Sequence, residues 1–303
     1  MNGKRIIVTG GAGFIGSNLV QKLVDNNEVL VVDNLHTGSI ENLKESEGDN
    51  LRFLKLDVKD FNTIEFDADV IFHLGFYSAS PMYRDNPSIV ADVVGGMISV
   101  LDYAKERGSR IVFSSTSSIY NGVKPPQREN IIPEVTDLYT EARIACERLS
   151  NLYWKLHGVN VSAMRFFSVY GNHERSKGGY ANLATQFLID MKNGKSPVIY
   201  GDGSQRRDFV FATDVCEALI KAADHNGFDV FNVGYGVNYS LNELVEKLNG
   251  VLGTSIKPEY IDMPVKNYVM ETLADTTKAE KILNFKAKID LDHGLRMISE
   301  YYR

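Results

Sequence analysis

The chain has 303 residues, 44% hydrophobic and 24% charged, with a formal net charge of −6. That length allows a full core plus a smaller lobe, and the acidic balance argues against a nucleic-acid surface. No apolar run approaches the ~18 residues of a membrane span, Cys146 and Cys216 make no disulfide framework or metal pair, and the first strand starts beside Met1, so a cytoplasmic protein with no leader, membrane segment or metal is expected.

The first predicted strand, residues 5–9, runs straight into glycines and then into an amphipathic helix over 14–25. A dinucleotide-binding turn requires this order: glycine lets backbone approach a pyrophosphate, and the helix N-terminus offers free N–H groups and a favourable dipole. Two spacings overlap, Gly11/Gly13/Gly16 as G-x-G-x-x-G and Gly10/Gly13/Gly16 as G-x-x-G-x-x-G, and a purely structural turn would also use glycines. The second strand, 28–33, ends on Asp33. A carboxylate about 20 residues after the glycines accepts hydrogen bonds from an adenosine ribose and repels a 2′-phosphate. NAD is therefore expected in preference to NADP.

Further apolar runs at 51–56, 69–74, 110–115 and 160–167 alternate with helical patterns, notably 87–107 and 138–157. The alternation predicts an α/β fold, a Rossmann-type doubly wound parallel sheet with ligands at the carboxyl ends of its strands. Cys146 falls in a helical pattern and reads as a buried thiol. After Gly171 the pattern changes: a polar loop at 173–179, a helix at 180–192, strand-like 197–200, a turn at 201–203, strands at 208–211 and 229–233, and helices at 240–252, 276–284 and 291–302. Residues 1–170 are expected to form the NAD-binding domain, rejoined by segments near 208–235, with 171–303 mainly a substrate-binding lobe.

Two segments carry candidate chemistry. The strand at 110–115 leads into Ser114-Ser115-Thr116-Ser117-Ser118, which places hydroxyls at the carboxyl edge of the sheet, although a solvated Ser/Thr turn looks the same. Tyr139 and Arg143 stand at i and i+4 near the start of a helix, so phenol and guanidinium share a face. A nearby cation stabilises a phenolate, while the same spacing also serves as plain surface decoration.

In order, and over nearly the whole chain, these segments resemble the extended short-chain dehydrogenases/reductases: the glycine turn, Asp33, Asp57-Val58, His73-Leu74-Gly75, Thr116, Tyr139, Arg165 to Gly171 and Gly201 to Phe209. Within that family the chain looks most like the nucleotide-sugar epimerases of the UDP-galactose 4-epimerase type. The resemblance implies that Gly10, Gly13, Gly16 and the backbone of Phe14 and Ile15 cradle the NAD pyrophosphate. It puts Asp33 at the adenosine ribose and Asp57 and Val58 around the adenine, with Asn34, Leu74 and Gly75 as further cofactor contacts. Tyr139 would be the catalytic base, Thr116 would bond the reacting sugar oxygen, and Arg143 would be the cation beside the base and the cofactor. Ser168 and Arg207 would lie near the substrate's phosphates, unless Arg207 simply pairs with Asp208 or another acid.

The chain departs from the family pattern at named positions. Arg143 stands where the family has the lysine of Tyr-x-x-x-Lys, Ser168 where many epimerases carry asparagine, and Lys266-Asn267-Tyr268 where an arginine and an aspartate often hold the nucleotide. Ser117 and Ser118 follow Thr116, where sugar-nucleotide 4,6-dehydratases carry Asp-Glu and uronate decarboxylases commonly carry Glu nearby. With no acid for elimination, the resemblance favours epimerisation of a nucleotide sugar, UDP-glucose/UDP-galactose at C4, with NAD retained. An NAD-dependent dehydrogenase of the threonine dehydrogenase type and a non-catalytic NAD-binding protein are the alternatives. The helices at 87–107 and 138–157 resemble the family's dimer-forming pair, which implies a homodimer.

Overall fold

The computed structural model describes residues 1–131, 134–263 and 268–303. Its large sheet runs, edge to edge, β10 (Phe228–Val233), β6 (Val161–Phe166), β5 (Arg110–Thr116), β4 (Val70–His73), β1 (Arg5–Thr9), β2 (Glu28–Asp33) and β3 (Leu51–Lys55), with every pairing parallel. The inner strands are nearly all apolar because both faces are covered. Along β1, Ile6 and Val8 join one core under α1 (Phe14–Leu23) and α6 (Ala212–Ala222). Ile7 joins the opposite core under α3 (Ile89–Arg107) and α4 (Leu138–His157), where the short α2 (Ser80–Asp85) also packs, while α8 (Thr277–Leu283) joins α1 and α6. The chain winds outward in one direction through β2 and β3, then returns to β4 and winds the other way. The carboxyl ends of β1 and β4 therefore flank the crevice where ligands of such sheets bind.

The smaller lobe is built on β7 (Ser168–Tyr170), β9 (Arg206–Phe211) and β11 (Asn238–Ser240), with a separate pair of β8 (Val198–Tyr200) and β12 (Glu259–Ile261). Its core is closed by α5 (Leu183–Lys192), α7 (Leu241–Leu252) and α9 (Leu291–Tyr301). The strand expected at 208–211 pairs with β7 and β11, not with the large sheet. Its alternation gives the reason: Phe209 and Phe211 enter the lobe core while Val210 faces the large core. The return to the large sheet is made by α6 and β10, and α6 was not evident in the sequence pattern. Helix α5 starts at Leu183 instead of residue 180, because the Asn182 side chain accepts the Ala184 N–H at 3.0 Å and so caps it there. No helix among the described residues is long and apolar enough to cross a membrane. Cys146 and Cys216 are both free and buried, and burial pushes each thiol up to about 12.

One buried polar network fixes α4 against the sheet. Glu147 of α4 accepts from Arg165 of β6 at 2.9 and 2.6 Å and from the Ser115 hydroxyl of β5 at 2.6 Å. Arg165 also donates to the Tyr120 hydroxyl at 2.7 Å, and Tyr120 donates to Asn232 of β10 at 2.8 Å. Glu147 and Arg165 are both buried, so neither charge can turn to water if the other is removed. Breaking a buried pair on one side costs about 3–5 kcal/mol, whereas replacing both charges by apolar groups is far milder. Glu147→Ala is therefore expected to lower unfolding stability by that amount. Glu147→Leu combined with Arg165→Met should lose markedly less, as read by denaturant melts of the two variants and the parent.

Candidate active site

The crevice opens into one cleft of about 810 Å³. Every residue singled out above as cofactor, catalytic or substrate contact lines it: Gly10, Gly13, Phe14, Ile15, Gly16, Asp33, Asn34, Asp57, Val58, Leu74, Gly75, Thr116, Tyr139, Arg143, Ser168 and Arg207. Lys266 and Asn267 lie outside the described residues, while Tyr268 beside them lines the cleft.

At the β1 end the two overlapping glycine spacings separate. Gly11 does not line the cleft, and a Cβ there would press on the Val31 side chain at 2.8 Å. Gly10 has φ +66°, and a Cβ there would come within 2.8 Å of the Gly75 backbone. A Cβ at Gly16 would overlap the Gly10 carbonyl oxygen. Only hydrogen fits at these two positions, so the first turn of α1 is held against the end of β1. Gly13 is the N-cap, no side chain caps the helix, and no acid stands in its first turn. Phe14 and Ile15 thus present free N–H groups and the positive end of the helix dipole, a ready anion site. These features fit a dinucleotide pyrophosphate.

Asp33 ends β2 on the same cleft. Its carboxylate accepts the N–H of Ala12 at 3.0 Å and of Leu35 at 2.8 Å. Burial pushes its pKa up, and the two N–H bonds work against that rise. Each oxygen keeps a second lone pair for a ribose hydroxyl. Asp57 accepts from the Asn34 side chain at 3.0 Å and from the Lys59 N–H at 3.1 Å, which sets the neighbouring wall.

The opposite wall carries Thr116, Tyr139 and Arg143. Thr116 is buried at the end of β5, and its hydroxyl accepts the Ser118 N–H at 3.1 Å. Tyr139 lies in the first turn of α4, whose N-cap Asp137 accepts the Thr140 N–H at 2.8 Å. The Arg143 guanidinium carbon is 5.3 Å from the Tyr139 ring centroid, and its Nη2 donates to the Tyr77 carbonyl at 3.0 Å. Beneath them His73 is buried, with Nδ1 2.7 Å from the Thr9 hydroxyl. Burial and, secondarily, the Arg143 charge push its pKa down to about 3, so it stays neutral.

Arg207 of β9 closes the far end and does not pair with Asp208. Asp208 is buried and accepts three backbone N–H groups, from Tyr235, Gly236 and Ala274 at 2.7, 3.0 and 3.0 Å, and burial pushes its pKa up to about 6. Arg207 donates to the Arg206 and Met270 carbonyls, lies 5.3 Å from the Tyr268 ring centroid, and has no acid within ion-pair distance among the described residues. It is a cation facing the cleft with its charge uncompensated. Sequence reasoning missed Lys177 and Tyr180, which line the cleft from the loop before α5, and Phe76 and Tyr77, which line it after β4. Only the cation in the glycine-bearing 173–179 loop offered a signal.

The model of the NAD dependent epimerase/dehydratase family matches residues 6–234. The chain is 33% identical over 311 residues to a UDP-glucose 4-epimerase of Mycolicibacterium smegmatis, covering 99% of this chain and 98% of that one. It is 32% identical over 310 residues to UDP-glucuronic acid decarboxylase 3 of Arabidopsis thaliana, covering 99% and 89%. Among solved structures, the UDP-N-acetylglucosamine 4-epimerase of Methanobrevibacter ruminantium in complex with UDP-N-acetylmuramic acid superposes with a TM-score of 0.94 at 31% identity, covering 100% of this chain and 99% of that one. With a glycine turn built for a pyrophosphate and a match across three-quarters of its length, the chain belongs to the NAD-dependent epimerase/dehydratase family.

Proposed function

We propose that the protein interconverts the C4 epimers of a UDP-sugar, UDP-glucose and UDP-galactose first among them. The observation that carries this reading is the convergence of Thr116 and Tyr139, from separate elements, on the cleft that the glycine turn opens at its other end. Tyr139, as phenolate, accepts the proton of the C4 hydroxyl, and Thr116 holds the same oxygen by a hydrogen bond. Arg143 places its guanidinium beside the Tyr139 ring. NAD, held by the glycine turn and Asp33, would supply the hydride acceptor and donor, with no net oxidation. Arg207 meets the substrate's diphosphate, with Ser168 alongside. Elimination asks for an acid next to Thr116. Positions 117 and 118 are serines, and Asp137 is engaged in capping α4. The reading includes a homodimer formed through α3 and α4, whose outer faces leave Ile98, Leu152 and Leu156 exposed.

Cofactor choice follows from Asp33. Hydrogen bonds to a charged group are worth roughly 1.5–3 kcal/mol, so NAD should bind about tenfold or more tightly than NADP in a calorimetric titration. Tighter NADP binding would contradict the role of Asp33.

Substrate class is read by thermal shift. A ligand that binds only the folded state adds about 2.7 kcal/mol at a hundredfold excess over its Kd. UDP-glucose or UDP-galactose should raise the melting temperature, and Arg207→Ala should abolish the rise. Stabilisation by other nucleotide sugars or by free threonine, with no response to these two, would overturn the substrate assignment.

Tyr139→Phe removes one hydroxyl and keeps the ring. General-base catalysis contributes about 10²–10⁴ in rate, so turnover should fall at least a hundredfold while NAD affinity and stability stay near those of the parent. Full activity in this variant would rule Tyr139 out as the base.

A further inference from the structure

Arg143 is a buried cation without an acid. Its side chain is almost wholly enclosed, and no carboxylate among the described residues lies within ion-pair distance of it. One N–H goes to the Tyr77 carbonyl, and buried Nε and Nη1 find no acceptor. A guanidinium in that position is expensive unless something else holds it. The nearest group able to do so is Phe76, whose ring centroid is 3.9 Å from the guanidinium carbon, against 5.3 Å for the Tyr139 ring. The Phe76 ring is in turn packed on His73, with centroids 4.1 Å apart, and His73 is tied to Thr9. A neutral His73 leaves Arg143 as the only charge in this stack.

We propose that Phe76 is a positioning residue for Arg143: an aromatic face, in place of a carboxylate, fixes the planar guanidinium beside Tyr139. The residue type at 143 then has a local cause. A guanidinium is flat, weakly hydrated and stacks on an aromatic ring, whereas an ammonium is a compact and strongly hydrated point charge. An acid in the same place would neutralise the cation and remove its effect on the phenol, and a ring does not. Phe76 and Arg143 form a matched pair, and lysine at 143 forfeits part of what the ring offers. The catalytic consequence rests on the reading of Tyr139 as the base; the stack itself does not.

Two measurements test it. In ¹⁵N-labelled apoprotein, the Arg143 Nε–H resonance, identified by its disappearance in Arg143→Lys, should be shifted by the ring current. The shift should persist in Phe76→Tyr, which keeps the ring, and vanish in Phe76→Leu, which keeps only the bulk. In the NAD-loaded enzyme, Phe76→Leu should lose roughly tenfold in kcat with KM for the UDP-sugar within about twofold, and Phe76→Tyr should stay within about threefold of the parent. Adding Phe76→Leu to Arg143→Lys should cost markedly less than Phe76→Leu costs the parent, because an ammonium keeps only part of the contact with the ring. An unshifted resonance in the parent, or losses that simply add, would overturn the proposal. A shifted resonance in a protein that turns over no nucleotide sugar would overturn the functional reading and with it the catalytic role of the pair. An unshifted resonance in an active enzyme would overturn the stack alone.

Discussion

The structure depends on a place where two backbones meet with no side chain between them. Gly10, after β1, lies so close to the turn after β4 that a Cβ would collide with Gly75, and Gly16 packs α1 onto Gly10 and Gly11. Thr9 completes the joint: its hydroxyl accepts the N–H of Leu74 and Gly75 at 3.1 and 3.0 Å and contacts His73. This contact aims the uncapped end of α1 into the cleft and sets the height of the wall that carries Phe76 and Tyr77. Glycine's loss of backbone freedom on folding, about 0.5–1 kcal/mol each relative to alanine, is the cost of that geometry.

From this joint the site is assembled by elements far apart in sequence. The glycine turn comes from residues 10–16, Asp33 and Gly75 from the tips of β2 and β4, Tyr139 from the start of α4, and the distal cation Arg207 from β9. Rigid connections hold them in register. The Glu147–Arg165 pair ties α4 to β5 and β6 one helical turn below Arg143 and two below Tyr139, and Asp137 caps the same helix at the cleft. β9 is shared between the two cores, so the strand that presents Arg207 cannot shift without disturbing both. Charge is distributed in the same spirit. Asp33 is held by backbone N–H groups, while the cations Arg143 and Arg207 rest on aromatic rings and carbonyls, with no acid within ion-pair distance among the described residues.

Much of this was legible in the sequence, for identifiable reasons. Parallel strands covered on both faces are apolar runs, and β1, β2 and β10 show at nearly their true limits. The i, i+4 spacing of Tyr139 and Arg143 near a helix start is local, so that pair could be named with its geometry. What stayed hidden is tertiary. Gly10 and Gly11 are equivalent on paper, and only contact with Gly75 or Val31 separates them. Phe76 reads as one more apolar residue after a strand until the fold sets it on Arg143, and Glu147 reads as a polar helix position until Arg165 reaches it. β9 carried a correct strand signal, but its sheet is decided by where Phe209 and Phe211 are buried. Helix α6 carries no boundary signal of its own, because it follows β9 without a loop.

The proposed function requires the C4 hydrogen to leave the sugar and return to its other face without exchanging with water, while Tyr139 handles only the hydroxyl proton. Following UDP-galactose by NMR in D₂O with the NAD-loaded protein tests this most directly. The account predicts conversion to the C4 epimer, protium retained at C4 and C5, and no reduced cofactor released. Deuterium entering the sugar carbons, or stoichiometric release of reduced cofactor, would contradict it.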